Sequence, residues 1–286
     1  MKIRLLGNLT LKQLALRTYR RVEQDNCLST AAELAYYFLL ALFPLLILLT
    51  GLVGYLPGVQ ALIMQALAKA MPEPAMKLVH DTLNDVTKSR STGLLSFGAL
   101  AAIWAASSGV SALMSALNRA RDASERRSYW TVRSIAIGLT IAFSLLVTGG
   151  AVMIMFADKF SLWLARLLGF GTTFRSLTRI AQYLAGLAGL LFGIDIIYYL
   201  GPSGRTRWRW VTVGSAFTVA ACILVSFGLS VYLRFAPSYS ATYGSLGAVV
   251  VLMLWLYLMG LMILVGSEIN HEIEMARADH HRDTVQ

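Results

Sequence analysis

The sequence predicts an all-α, polytopic membrane protein, a bundle of six transmembrane helices with short amphipathic interfacial helices. Three observations carry that expectation. Six long apolar runs lie near residues 34–56, 93–117, 134–157, 180–200, 211–235 and 244–268, each about as long as the ~20 residues a helix needs to cross the hydrocarbon layer. Only 14% of the 286 residues are charged and 57% are hydrophobic, whereas soluble domains carry about 25% charge. The runs also lack the strict alternation of barrel strands, as in Ile47-Leu-Leu-Thr-Gly-Leu-Val53. Lipid offers no partner for backbone amides, so such runs satisfy their own as helices.

The chain divides into a basic N-terminal segment (1–30), a membrane domain (31–270) and a C-terminal tail (271–286). In the first, Leu5, Leu9, Leu14, Leu16, Tyr19 and Val22 are set among cations. That pattern suits a helix lying on an anionic leaflet, or a solvated tail that only obeys the topology rule. The first apolar run starts some thirty residues in and is too long for a signal-peptide core. Span one is therefore expected to be its own insertion signal. Pro44 lies inside it, where a missing N–H either makes a hinge or shapes the bundle.

Loop 57–92 holds two stretches with helical apolar spacing, Val59 to Ala70 and Met76 to Val86, parted by Pro72 and Pro74. Both are expected as short amphipathic helices at the outer surface, capping a cavity or resting among headgroups. Loop 158–179 repeats the theme with Phe160, Trp163, Leu164, Leu167 and Leu168. Loop 236–243 reads as a tight hairpin. Span two is dominated by Ala, Ser and Gly, and closes on Asn118. Small residues permit close helix packing; alternatively Ser107, Ser108, Ser111 and Ser115 line a path. Gly189 and Gly193 in span four form a weak close-packing signal.

Charge sets the orientation. Of the Lys and Arg residues, sixteen fall on the side carrying both termini and nine on the other. The positive-inside rule then puts both termini in the cytoplasm, and an even number of spans agrees. The net charge of +10 is thereby assigned to orientation, and no nucleic-acid partner is expected. Cys27 and Cys222 are the only cysteines; one lies before span one and the other inside span five, so no disulfide is expected, and metal-ligand spacing is absent.

Ionisable groups inside spans are costly unless partnered, at ~2.5 kcal/mol or more near the bilayer centre. Asp195 falls six residues before the end of span four at Gly201, about 9 Å from it at ~1.5 Å per residue. Glu268 lies near the inner end of span six and Glu33 near the inner start of span one. These carboxylates either pair with Arg205, Arg207, Arg209, Arg119 or Arg133, or form a polar vestibule that contacts an ion or a lipid headgroup. His271, His280 and His281 lie in the tail, which reads as solvated. The sequence holds no HExxH, phosphate-binding loop or nucleophile elbow, so no enzyme and no cofactor are expected.

With these residues laid out, the chain resembles the YihY/BrkB-like inner-membrane family, long labelled ribonuclease BN. The resemblance rests on Leu34-Ala-Tyr-Tyr-Phe-Leu-Leu-Ala-Leu-Phe-Pro-Leu-Leu46, Ile103-Trp-Ala-Ala-Ser-Ser-Gly109 and Ala116-Leu-Asn118. It continues through Tyr198-Tyr-Leu-Gly-Pro202, Tyr243-Gly-Ser-Leu-Gly-Ala-Val-Val-Val-Leu-Met-Leu-Trp-Leu-Tyr257 and Leu264-Val-Gly-Ser-Glu-Ile-Asn270. Glu33 departs from the pattern, which usually has a neutral residue there. The resemblance implies six spans and a bacterial cytoplasmic membrane. Members have been connected with virulence, serum resistance and, by proposal, lipid transport. The ribonuclease label conflicts with the residues, which offer no clustered metal ligands or acid–base pair.

The expectation is a non-enzymatic membrane protein that moves a lipid or other envelope amphiphile. Asp195 and Glu268 would meet a headgroup or coupling ion, while Asn118 and the serines line the route. The alternative is a scaffold whose outer loops bind envelope partners.

Overall fold

The computed structural model describes residues 9–53, 64–65, 67–68, 71–88, 94–168, 172–204, 210–235 and 238–283, and structural statements refer to these. Among them the chain is helical, with no strand. In order come α1 (Leu11–Gln24), α2 (Cys27–Val53), α3 (Glu73–Lys88), α4 (Leu94–Arg119), α5 (Tyr129–Leu168), α6 (Thr172–Leu200), α7 (Val213–Phe235) and α8 (Ser238–Asp283). Four stretches are long and apolar enough to cross a membrane: Tyr129–Met153, Arg179–Leu200, Val213–Leu233 and Gly247–Ala278. In α2 the apolar stretch Cys27–Leu42 is shorter. The 26 residues of α4 are long enough to span at ~1.5 Å per residue.

α1 opens with a capping box in which Thr10 and Gln13 satisfy each other's backbone N–H groups. Its buried face, Leu14 with Leu9 just before it, packs on Ile269, Ile273 and Ala276 of α8. Leu16, Tyr19, Lys12 and Arg20 stay on the free face. Both ends of the chain thus meet at one end of the bundle, called basal below; the other is distal.

α2 runs through the centre against α4 and α8. Small residues allow this, because a Cβ on Gly109 of α4 would stand 2.9 Å from Ala41 Cβ of α2. The helix continues past Pro44 to Val53. Cys27, Ala31 and Leu34 of α2 join Leu113, Leu117, Ile197, Tyr198 and Leu264 in one core cluster. Four helices therefore converge in the basal half. α3 is amphipathic, as its spacing predicts, and Ala75 and Val79, with Met71 just before it, pack on Ala35, Leu252 and Leu256. Its apolar stripe is spent on α2 and α8, while Glu73, Lys77, His80 and Asp81 remain exposed.

Some expectations differ in detail. α5 continues as helix to Leu168, across much of the stretch expected as a separate loop helix; the side chains of 157–178 lie outside the described residues. α8 begins at Ser238, inside the expected hairpin. Residues 271–283 extend α8 instead of forming a solvated tail, because Glu272, Ile273 and Ala276 are buried. The stretch 59–70, the cations Arg205, Arg207 and Arg209, and the side chains of His280 and His281 fall mostly or wholly outside the described residues.

Candidate functional site

A layer of polar side chains joins the helices at the basal end, and Asp195 lies in it. Thr212 and Ser215 cap the start of α7 reciprocally, each hydroxyl accepting the other's backbone N–H at 3.1 Å. The Thr212 hydroxyl then donates to Asp195 Oδ1 at 2.8 Å. Asn270 of α8 donates to Thr212 Oγ1 at 2.9 Å and accepts the Gly214 N–H at 2.8 Å. One hydrogen-bonded chain therefore links α6, α7 and α8. The start of α7 also presents the positive end of its dipole to the Asp195 carboxylate. Asp195 is 2% exposed. Its Oδ2 is buried and has no hydrogen-bond partner among the described residues.

The same three helices are clamped next to this chain. The Tyr198 hydroxyl reaches the Ile263 carbonyl at 2.6 Å and lies 2.7 Å from Thr218 Oγ1. Gly214 and Gly266 sit where α7 crosses α8. A Cβ on Gly266 would strike Thr218 Oγ1, Tyr198 Oη and the Gly214 carbonyl. Only residues without a side chain permit this approach.

Glu268 belongs to a different cluster. It is fully buried, with Oε1 lying 3.9 Å from Cys27 Sγ. Its carboxyl group meets that of Asp25 in the turn between α1 and α2. Neither Asp25 Oδ2 nor Glu268 Oε2 receives a hydrogen bond from another described group. Burial, and then the Asp122 charge, push the Asp25 carboxyl above its ordinary range. Around the pair, Arg21 binds Asp122 at 2.8 Å and Glu272 at 3.2 Å, and Arg121 lies 3.6 Å from Glu274.

Asn118 closes a staple between loops. Its Oδ1 accepts the Ser203 N–H at 2.7 Å, and its Nδ2 donates to Glu125 at 2.7 Å. Arg127 holds Glu125 and also donates to the carbonyls of Leu200 at 3.1 Å and Gly201 at 2.7 Å, capping α6. The Arg127 guanidinium holds the Glu125 carboxyl well down, at about 2.

The serines of α4 do not gather in one place. Ser107 is buried and donates to the Trp104 carbonyl at 2.8 Å. Ser115 is exposed and donates to Ser111 O at 3.1 Å. Ser108 accepts Arg133 Nη1 at 3.2 Å. Pro44 is partly buried in α2. Glu33 pairs with Arg119 at 2.7 Å on the surface. The structure thus separates Asp195 from Glu268, which share no described partner, and places Asn118 with the loops.

Several residues went unremarked in the sequence. Thr212 and Ser215, three apart before an apolar run, carry a capping signature that was available there. Asn270 and Asp25 became recognisable only through contacts with distant elements. Arg133, counted as a loop cation, is 6% exposed between α4 and α5.

The packing is uneven along α6. Ile197 and Tyr198 are buried in the basal core. In the distal half, Tyr183, Leu184, Ala185, Gly186, Leu187 and Ala188 are all exposed. Six successive residues exceed one turn and a half at ~3.6 residues per turn, so no face of this stretch is covered by the described chain. Ile223, Leu224, Phe227 and Phe235 of α7 are exposed as well. The bundle is clamped at its base, and the distal stretch of α6 is left uncovered by the described residues.

A helical bundle of apolar spans with its polar contacts gathered at one end defines a polytopic integral membrane protein. The chain belongs to the family described as Virulence factor BrkB, whose family model matches residues 18–285. It is 36% identical over 242 residues to the "Putative ribonuclease-like protein YfkH" of Bacillus subtilis (strain 168), covering 85% of this chain and 88% of that one. It is 27% identical over 260 residues to a UPF0761 membrane protein of Tolumonas auensis, with 87% and 82% covered. A UPF0761 membrane protein of Alkalilimnicola ehrlichii is 26% identical over 284 residues, with 92% of this chain and 58% of the relative covered. No solved structure matches.

Proposed function

We propose that the protein moves, or helps to move, a lipid or similar envelope amphiphile across a bacterial cytoplasmic membrane. Both termini would face the cytoplasm, which puts the basal end on the inner side. The observation that carries this reading is the contrast within α6: packed at Asp195–Tyr198, uncovered at residues 183–188. An amphiphile needs an apolar route for its chains and a polar station for its headgroup. The uncovered distal stretch of α6 supplies the first. The Asp195–Thr212–Asn270 chain supplies the second, with Asp195 Oδ2 free to accept a headgroup donor. Glu268, with Asp25 beside it, would serve as the coupling-ion site.

Purified protein in liposomes should speed lipid exchange between leaflets, and Asp195→Asn should slow it. Unchanged exchange across several lipid classes would remove this reading. The uncovered face of α6 also suits a scaffold that docks a membrane partner there. In that case Asp195→Asn would lower protein level and stability with no selective transport defect. YfkH is named ribonuclease-like, but among the described residues no group of three His, Cys, Asp or Glu could hold a metal ion. The reading offered is non-enzymatic, and RNA cleavage by purified protein with divalent metal would contradict it.

A further inference from the structure

We propose that Arg133 is the centre of a binding site for the phosphate of an anionic phospholipid, where the start of α5 meets the middle of α4. The site does not depend on whether the protein moves lipid. Arg133 lies four residues into α5, and the Trp104 and Ser108 that it meets lie in the middle of α4.

A buried guanidinium requires an anion or full hydrogen bonding. Among the described residues Arg133 has neither. Its Nη1 donates to Ser108 Oγ at 3.2 Å, and its Nη2 donates to the Trp104 carbonyl. That carbonyl already accepts the hydroxyls of Ser107 and Ser108, so three donors compete for two lone pairs. Nε is buried with no acceptor among the described residues. The Trp104 ring, 3.9 Å from Arg133 Cζ, adds cation–π attraction but no charge. By contrast Arg17, Arg21, Arg119, Arg121 and Arg127 each meet a carboxylate. The site therefore holds one uncompensated positive charge and spare donors in a fixed plane.

The chemistry of the missing anion follows from the surroundings. A phosphodiester takes two parallel N–H bonds from a guanidinium edge, and the Ser108 hydroxyl can turn to give a third. The site carries no described carboxylate to receive the amine of a zwitterionic headgroup, so a net anionic lipid fits best. Trp130, 68% exposed and 6.5 Å from Trp104, and exposed Tyr129 form the lipid-facing rim expected at an interface.

The test is native mass spectrometry of the full chain, delipidated in detergent and then offered phosphatidylglycerol, phosphatidylcholine or inorganic phosphate. Wild-type protein should retain phosphatidylglycerol and release phosphatidylcholine. Arg133→Gln should weaken phosphatidylglycerol retention about tenfold or more, the effect of losing charge-assisted hydrogen bonds. Arg133→Lys, which keeps the charge without the fork, should fall between. Equal retention by Arg133→Gln would overturn the proposal, and so would displacement of the lipid by inorganic phosphate at low millimolar levels. Should Arg133→Gln fail to fold, Ser108→Ala decides: a several-fold loss supports the site and unchanged retention refutes it.

Discussion

The Ser203 N–H donates to Asn118 Oδ1 at 2.7 Å, and this bond ties the end of α4 to the turn that follows α6. Asn118 Nδ2 and Arg127 add Glu125 and the last carbonyls of α6 to the same knot. Replacing Asn118 by Leu removes two hydrogen bonds and leaves the partly buried Ser203 N–H without its acceptor. The expected loss is about 1–3 kcal/mol, read as a lower unfolding temperature in detergent. If Asn118 instead lines a route, leaflet exchange would drop while the unfolding temperature stayed put.

The crossing of α7 and α8 makes a sharper demand. Gly266→Ala forces a methyl group into Thr218, Tyr198 and the Gly214 backbone. Overpacking of this kind costs about 1–3 kcal/mol or more, and the variant should be recovered poorly folded in size-exclusion chromatography. Gly189→Ala is the control, since its Cβ would meet Leu146 Cδ2 at an ordinary 4.0 Å. Equal tolerance of both would show that the helices do not approach so closely.

Acid should leave the Glu125–Arg127 contact intact. Held at about 2, Glu125 contributes stability above the ordinary carboxylate range and loses it only as pH falls through that lower value. Between about pH 5 and 3, where free carboxylates protonate, infrared carboxylate bands with and without Glu125→Gln should show Glu125 still ionised. Titration of Glu125 near pH 4 would contradict the contact.

Asp25 runs the other way. Its raised position means that its contribution is complete below the unfolded carboxylate value and fades as pH climbs through the folded one. The groups facing it are Asp122, Arg21, Glu268 and His271. Trypsin should therefore cut α1 at Arg17, Arg20 or Arg21 faster as pH rises. Asp25→Asn should flatten that dependence, after correction for the protease's own pH profile. A variant as pH-sensitive as wild type would exclude Asp25 as the responsible group.

Much of the architecture could be read from residue order because spans are dictated by local composition. Runs such as 134–157 and 211–235 became α5 and α7 with no long-range information needed. The polar layer was legible only in part. Asp195 announced itself as a carboxylate in an apolar run, but its partner Thr212 lies 17 residues away, across a turn. Glu33 and Arg119, 86 residues apart, are joined only by the packing of α2 on α4. Arg133 misled because a cation at a loop edge satisfies the topology rule whether it points to water or into the bundle. The uncovered stretch of α6 had no signature at all, since a helix bathed in lipid and one buried in protein are equally apolar.

That uncovered stretch carries the functional reading, and an accessibility scan tests it most directly. Single spin labels at positions 183 to 188, in protein reconstituted in liposomes, would report collision with oxygen dissolved in the lipid. The account predicts uniformly high accessibility at all six positions. A rise and fall with helical period, marking a protected face, would contradict it.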